Sequence, residues 1–401
     1  MMLKPHATIN LPLHGGYAPP YLIKRMIKLS HAISKVIVDQ YGQHEFLRRL
    51  SDPLWFQALG CVLGFDWHSS GVTTVVTGVL KQSLTHDTHA LSIAGGKGKR
   101  SFQARNEIQR YAEKYFNLST AKIDQLLYAS KMASKVDNAA VQDGYSLYHH
   151  VILFDKDGNW TVVQQGMNPH NKMARRYHWQ SDYLKKFVCE PHTGIISGCK
   201  NPNTLDMTSI DSIENQNISL DLARDSINHL KSSVYKIVNS RPNVKSGGGT
   251  FTLDGWINET SHENKPTAFT LSPTNFDSTE SFEMPRRLNW KLFKKIYDIQ
   301  PRNYEEMLSI PGFGPTAVRA LSLIGELIFG TRASWQDPVK FNFAHGGKDG
   351  VPYPVARNTY DKSISYLHSA IEGADIEREL RVEALKKLAK YSAKLFSNQD
   401  N

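Results

Sequence analysis

The sequence predicts an α+β protein: a mainly helical N-terminal region with a small antiparallel β-hairpin or sheet, and an all-α C-terminal domain built around a helical hairpin. Three observations lead there. Apolar residues recur at spacings of three and four through most of residues 1–140, two runs rich in Val, Ile, Tyr and Trp flank an Asp-Gly pair, and a Gly-x-Gly-Pro turn separates two short apolar stretches near the C-terminus.

Leu22, Met26, Leu29, Ile33 and Ile37 follow the Pro19-Pro20 start signal and predict a helix over residues 21–40. Helical sequence resumes at 45–65 with a break at Asp52-Pro53, and residues 101–116 and 119–136 predict two more helices, each with Ser at its N-cap. Residues 145–154 and 160–167 read as strands joined by a two-residue type I′ turn at Asp157-Gly158, a register that sets His150 opposite Gln165. After a helix at 220–238 the composition shifts to Ser, Asn, Thr, Gly and Pro, including Gly247-Gly248-Gly249. The expected organisation is a mixed α+β domain at 1–239 that holds the candidate catalytic centre, a flexible linker at 240–284, and a helical domain at 285–401.

With 48 Lys and Arg against 38 acidic residues the formal charge is +10, which favours polyanionic partners. Cys61, Cys189 and Cys199 form neither a CxxC pair nor a disulfide framework, and a reducing compartment is expected. The first 16 residues lack a continuous apolar segment, and the longest apolar stretch, 54–65, is too short to cross a bilayer, so no membrane partner is expected.

Residues 304–325 carry the most specific motif. Pro311, Gly312, Phe313 and Gly314 leave main-chain amides uncovered, Pro315 suits the first position of the second helix, and that helix's N-terminus adds partial positive charge. Leu308, Ile310, Phe313, Ala317 and Leu321 supply the apolar seam. The stretch resembles the helix-hairpin-helix of DNA repair and recombination proteins, which contacts phosphates without reading bases. The resemblance implies DNA contacts at Pro311, Gly312, Phe313, Gly314, Thr316 and Arg319, with RNA compatible with the same recognition.

Two Gly-Gly-Lys loops, at 94–100 and 345–350, lack the Gly-Lys-Ser/Thr ending of a nucleotide-binding P-loop, so no nucleotide cofactor is expected. Each instead suggests a backbone nest for phosphate, with Lys97 or Lys348 as its charge and Ser101 capping a helix beside the first. Residues near the hairpin's strand ends, His149, His150 and Gln165, together with Arg175, Arg176, His178 and Trp179, form the candidate active centre: a histidine as general base, or with Asp143 as metal ligand, and an arginine for charge developing on phosphorus. Asp66 and His68 offer a second carboxylate and imidazole. A divalent ion, Mg²⁺ or Mn²⁺, is the candidate cofactor. Asp337 stands roughly two dozen positions beyond Pro311, the place where helix-hairpin-helix DNA glycosylases carry their catalytic aspartate, although Pro315 and Thr316 stand where bifunctional members carry a lysine.

Several longer strings, among them Gly60-Cys61-Val62-Leu63-Gly64-Phe65-Asp66-Trp67-His68, Gln165-Gly166-Met167-Asn168, Arg175-Arg176-Tyr177-His178-Trp179 and Phe343-Ala344-His345-Gly346-Gly347-Lys348, resemble one family, the domain-of-unknown-function 763 family of archaea and bacteria. The resemblance implies a cytoplasmic archaeal or bacterial protein and narrows lineage without assigning a mechanism. The reading is a DNA-binding protein of repair or processing, with phosphodiester hydrolysis as the leading reaction, a DNA glycosylase as one alternative and a non-catalytic DNA-structure-binding module as another.

Overall fold

Both faces of one antiparallel sheet are covered by helices, and this placement buries nearly every strand residue. The computed structural model describes residues 20–64, 70–170, 172–198, 200–239, 269–271, 282–285, 287–339, 341–342 and 357–397. Strands β1 (Leu91–Lys97), β3 (Ser146–Asp155), β4 (Trp160–Asn168), β5 (Met173–Gln180) and β6 (Gly194–Ser197) pair antiparallel in the order β1-β3-β4-β5-β6, and Phe341–Asn342 adds in parallel to β6. A two-residue β2 (Val141–Gln142) pairs with β7 (Leu205–Asp206) beside this sheet. The α+β class expected from the sequence is the class observed.

Successive side chains alternate between the two layers. Ile93, Val151, Leu153, Val163 and Ile196 enter the layer of α1 (Pro20–Leu50), α2 (Pro53–Leu63) and α3 (Gly71–Ser83). Ala94, Ile152, Phe154, Val162, Tyr177 and Trp179 enter the layer of α5 (Ala104–Phe116), α6 (Thr120–Lys135), α7 (Ile213–Arg224) and α8 (Ile227–Asn239). Between α3 and β1 lies the one-turn α4 (His86–His89). Local chemistry sets the helix starts: the Asp52 carboxylate accepts from the amides of Leu54 (2.8 Å) and Trp55, and Ser119 caps α6. The first long helix runs past its expected end through Gly42, whose φ of +84° kinks it.

The segment beyond residue 285 contributes to both layers. Helices Trp290–Ile299, Tyr304–Ser309 and Pro315–Phe329 share the apolar cluster of α6 to α8, whereas Arg357–Gly373 and Arg378–Ser397 supply Leu367, Ile371 and Leu388 to the cluster around α1. Most of the expected linker, 240–268 and 272–281, lies outside the described residues.

Two expectations change here. Ser101 does not cap α5; it lies within a 3₁₀ segment, Gly98–Gln103, that feeds the helix. The β3–β4 connection is a four-residue loop, not a two-residue turn, because the Asp155 carboxylate gathers the amides of Asp157 (2.8 Å) and Asn159 (2.9 Å) and the Asn159 side chain. The register therefore slips by one: His149 pairs with Gln165 and His150 with Gln164, with an irregularity between Leu147 and His149.

Arg175 lies on β5 with its guanidinium fully buried between two carboxylates. It donates to Asp143 Oδ2 (2.8 Å) and, in a fork, to Asp337 Oδ1 (3.0 Å) and Oδ2 (2.7 Å), with the Tyr145 ring on its face. Burial raises the Asp143 pKa, against the pull of Arg175 and the Tyr177 hydroxyl. Arg175→Met leaves both carboxylates buried without their cation and is expected to cost about 3–5 kcal/mol. A urea midpoint that moves by less than about 1 kcal/mol equivalent would remove the ion triad from the stability argument.

Candidate active site

A cavity of about 540 Å³ opens where the start of β3 meets the 3₁₀ segment and α6. Ser101, Phe102 and Arg105 line one wall, Ser130, Lys131 and Ser134 the other, and Tyr148, His149 and His150 the floor. Arg105 and Lys131, both exposed, line it, Lys97 stands beside it opposite His149, and Phe102 is 84% exposed at the rim.

The Gly-Gly-Lys loop positions this rim, though not as a phosphate nest. Gly95 has φ +97°, and a Cβ there would lie 2.2 Å from the His150 carbonyl oxygen, so only glycine lets β1 approach β3 at the floor. The anion that its amide binds is the protein's own: Gly95 N–H donates to Glu107 Oε2 (2.7 Å), while Lys81 Nζ bridges Glu107 (2.7 Å) and the Gly95 carbonyl (2.8 Å). Lys97, opposite His149 in the register, places its Nζ 6.0 Å from the Tyr148 ring centroid.

As neighbours on β3 the two histidines enter different layers, and the slipped register sets which glutamine each one meets. On the α3 side, the Thr77 hydroxyl meets His149 Nε2 (3.0 Å), and Gln165 is held by Thr73, Tyr148 and the Ser70 carbonyl. Arg176 donates to Gln57 Oε1 (3.2 Å), the Pro53 carbonyl (3.3 Å) and His178 Nε2 (2.8 Å). Because His178 Nε2 accepts, its Nδ1 carries the proton and donates to the Leu50 carbonyl (3.0 Å). Burial, then the Arg176 charge, holds the His178 pKa well below the usual imidazole range. Gln165, Arg175, Arg176, His178 and Trp179 are all buried within the sheet. The expectation that Arg175 or Arg176 meets charge developing on phosphorus is therefore corrected: β5 is a central strand and both guanidiniums are buried.

On the α6 side a chain of hydrogen bonds fixes the state of His150. The π-helical turn Val136–Ala140 directs Asp137 inward, where its Oδ1 meets His192 Nε2 (2.6 Å) and its Oδ2 accepts from Trp179 Nε1 (3.0 Å) and Gln164 Nε2 (2.5 Å). A carboxylate only accepts, so the Gln164 amide nitrogen faces it and the Gln164 oxygen faces His150. That oxygen lies 2.8 Å from Nδ1, which therefore carries the proton, leaving Nε2 as a bare acceptor 2.8 Å from Ser130 Oγ. Burial, acting against the Gln164 hydrogen bond and the Asp137 charge, lowers the His150 pKa and keeps the ring neutral. Ser130 went unnoticed in the sequence, and Gln164, near the same strand ends, was not set opposite His150, as a correct hairpin register would have done.

The turn at 310–314 sits one helical turn along α6 from the cavity. Gly312 takes φ +91°, whereas Gly314 is extended and caps helix Pro315–Phe329, so only the first needs glycine's freedom. Leu308, Ile310, Phe313, Ala317 and Leu321 are buried as the apolar seam requires, and Pro311, Gly312 and Thr316 are exposed. Lys135 Nζ donates to the carbonyls of Phe313 (2.7 Å) and Ile310 (3.3 Å), and burial followed by the charge of Lys131 lowers its pKa. Arg319 stacks over Trp335 and donates to Gln142. Asp66, His68 and Lys348 lie outside the described residues. Among the described residues no group of three or more His, Cys, Asp or Glu side chains converges to hold a metal ion, and no helix is long and apolar enough to cross a membrane.

The fold and cavity define an α+β protein with an imidazole held neutral beneath a cationic rim. The family model described as "Protein of unknown function (DUF763)" matches residues 7–355, and the chain belongs to that family. No curated protein and no solved structure matches it.

Burial also fixes a pH dependence. His149 is pushed down to about 3 by burial, with smaller contributions from His150 and Lys97. Between about 3 and the ordinary imidazole value of 6.5 the unfolded chain binds the proton that the folded chain refuses, so stability rises with pH across that window and is lost on acidification below 6.5. The slope from this one group is about 1.4 kcal/mol per pH unit inside the window. Denaturation midpoints recorded from pH 7 to 4 are expected to fall less steeply in His149→Gln; an unchanged slope would mean that the imidazole titrates normally.

Proposed function

We propose that this protein binds a nucleic-acid strand by its phosphates and hydrolyses a phosphodiester in the cavity, with His150 as the general base. The observation that carries the reading is the unprotonated Nε2 of His150, fixed by Gln164 and Asp137 at the floor of a cavity lined by Arg105 and Lys131. A neutral imidazole accepts the proton of an attacking oxygen, and Lys97, Arg105 and Lys131 lie where the charge growing on phosphorus needs offsetting. Phe102, exposed at the rim, supplies a face on which a base stacks.

The helix-hairpin-helix reading of the turn at 310–314 supports the same function. The amides of Gly312 and Gly314 donate to no main-chain carbonyl among the described residues, and the turn is exposed at the N-terminus of a long helix. Helix α6 joins the two contacts: Lys131 lines the cavity and Lys135, four residues on, braces the turn from beneath. Backbone recognition of this kind is independent of base sequence and suits DNA repair or processing in the cytoplasm; RNA presents the same phosphates. The glycosylase alternative loses its acid, because both Asp337 oxygens are taken by Arg175 and by the amides of Asn201 and Val339.

The test is incubation with end-labelled single-stranded, duplex and branched DNA, and with RNA, each with and without Mg²⁺ or Mn²⁺. Scission is expected, with His150→Gln lowering its rate by about 10²- to 10⁴-fold while leaving affinity intact. Gly314→Glu, which the extended backbone at that position tolerates, is expected to weaken binding and make it less salt-dependent. Binding without scission in every arm would replace the nuclease with a non-catalytic module, and affinity unchanged by Gly314→Glu at several ionic strengths would remove the turn from the interface.

A further inference from the structure

Beyond the choice of base, the cavity contains an oxygen already hydrogen-bonded to it. Ser130 Oγ lies 2.8 Å from His150 Nε2, and both residues line the cavity. The direction of that bond follows from the preceding chain of partners. Asp137 orients Gln164, Gln164 assigns the His150 proton to Nδ1, and Nε2 is left to accept, so the Ser130 hydroxyl is the donor. A serine whose proton already points at a neutral imidazole, itself oriented by a third group, has the arrangement of an activated nucleophile. A serine that serves only to satisfy a buried histidine needs no cavity beside it and no Arg105 and Lys131 lining that cavity. Ser134 is different: its hydroxyl donates back to the Ser130 carbonyl (3.1 Å) and lies near the protonated side of the ring.

We propose that Ser130 is the nucleophile of the reaction assigned above, and that cleavage proceeds through a phosphoseryl intermediate. The Ser130 Oγ–phosphorus bond forms as the bond from phosphorus to the leaving sugar oxygen breaks. The hydroxyl proton passes to His150 Nε2 and from there to the leaving oxygen. Water then attacks the same phosphorus, gives its proton to His150, and Ser130 Oγ departs and recovers that proton. Two in-line displacements return phosphorus to its starting configuration, whereas direct attack by water inverts it. The inference rests on the nuclease reading and narrows it to substrates that can place a single phosphodiester at the cavity floor.

The experiment uses the full chain and a single-stranded oligonucleotide with one phosphorothioate of known configuration, cleaved in ¹⁸O-labelled water so that the product phosphorus stays chiral, in the metal arm that supports cleavage. Retention of configuration, an acid-stable labelled adduct on the peptide containing Ser130, and a loss of at least 10²-fold in rate for Ser130→Ala at unchanged affinity are the expected results. Because Ser130→Ala removes a buried hydrogen bond, Ser130→Cys provides the control: it keeps the nucleophile, and an adduct on the cysteine sulfur is expected. Inversion at phosphorus, or cleavage by Ser130→Ala within threefold of the parent rate, overturns the covalent route and leaves the general-base nuclease standing. No cleavage of any polynucleotide by the parent chain overturns both.

Discussion

The site depends on one buried carboxylate. Asp137 emerges from a π-helical turn at the end of α6 and meets the side chains of Gln164, Trp179 and His192, so a single group ties that helix to β4, β5 and the segment before β6. π-Turns cost helical regularity and persist where a side chain must be re-aimed. Here the re-aimed carboxylate sets an amide, the amide sets a tautomer, and the tautomer leaves a lone pair at the cavity floor. Fixing a proton by structure lets an imidazole keep one protonation state in a place where water would otherwise decide it.

The two polar layers of the sheet do different work. On the α3 side every functional group of His178 and most of those of Arg176 are spent on partners within the protein, and Arg175 is likewise enclosed by Asp143 and Asp337 on the other face. These are internal polar ties whose cost of desolvation is offset only because their partners are fixed. His150 combines such fixing with a place beside open volume. Likewise Glu107 has taken the amide of Gly95 that might otherwise hold phosphate, which turns the glycine loop from a ligand cradle into a rigid mount for its lysines and arginine.

Much of the architecture was legible in the sequence, and the failures share a cause. The hairpin, the long first helix, the Asp52-Pro53 break and the seam of the C-terminal turn follow from periodicity and turn chemistry that act locally. The strand carrying Arg175, Arg176, Tyr177, His178 and Trp179 was read as a candidate active centre because charged residues are rarely buried unless paired. Only the helices packed on both faces, which come from distant parts of the chain, make it a central strand. Helix α3 was missed because Val72, Thr73, Thr74, Val75, Val76 and Thr77 favour strands, and tertiary packing overrides that preference. For the site, a one-residue error in register, caused by the Asp155 carboxylate, paired His150 with the wrong glutamine and hid the relay.

The layer around α1 is finished by helices Arg357–Gly373 and Arg378–Ser397, with the Tyr391 hydroxyl donating to the Leu54 carbonyl across more than three hundred residues of chain (|i−j| = 337). During synthesis the first helices thus wait, with their apolar faces uncovered, until almost all of the described chain has been made. Contacts this distant are slow to form and leave sticky surface in the meantime. A fold arranged in this way places its demand on chaperones early in translation, long before the cavity has walls.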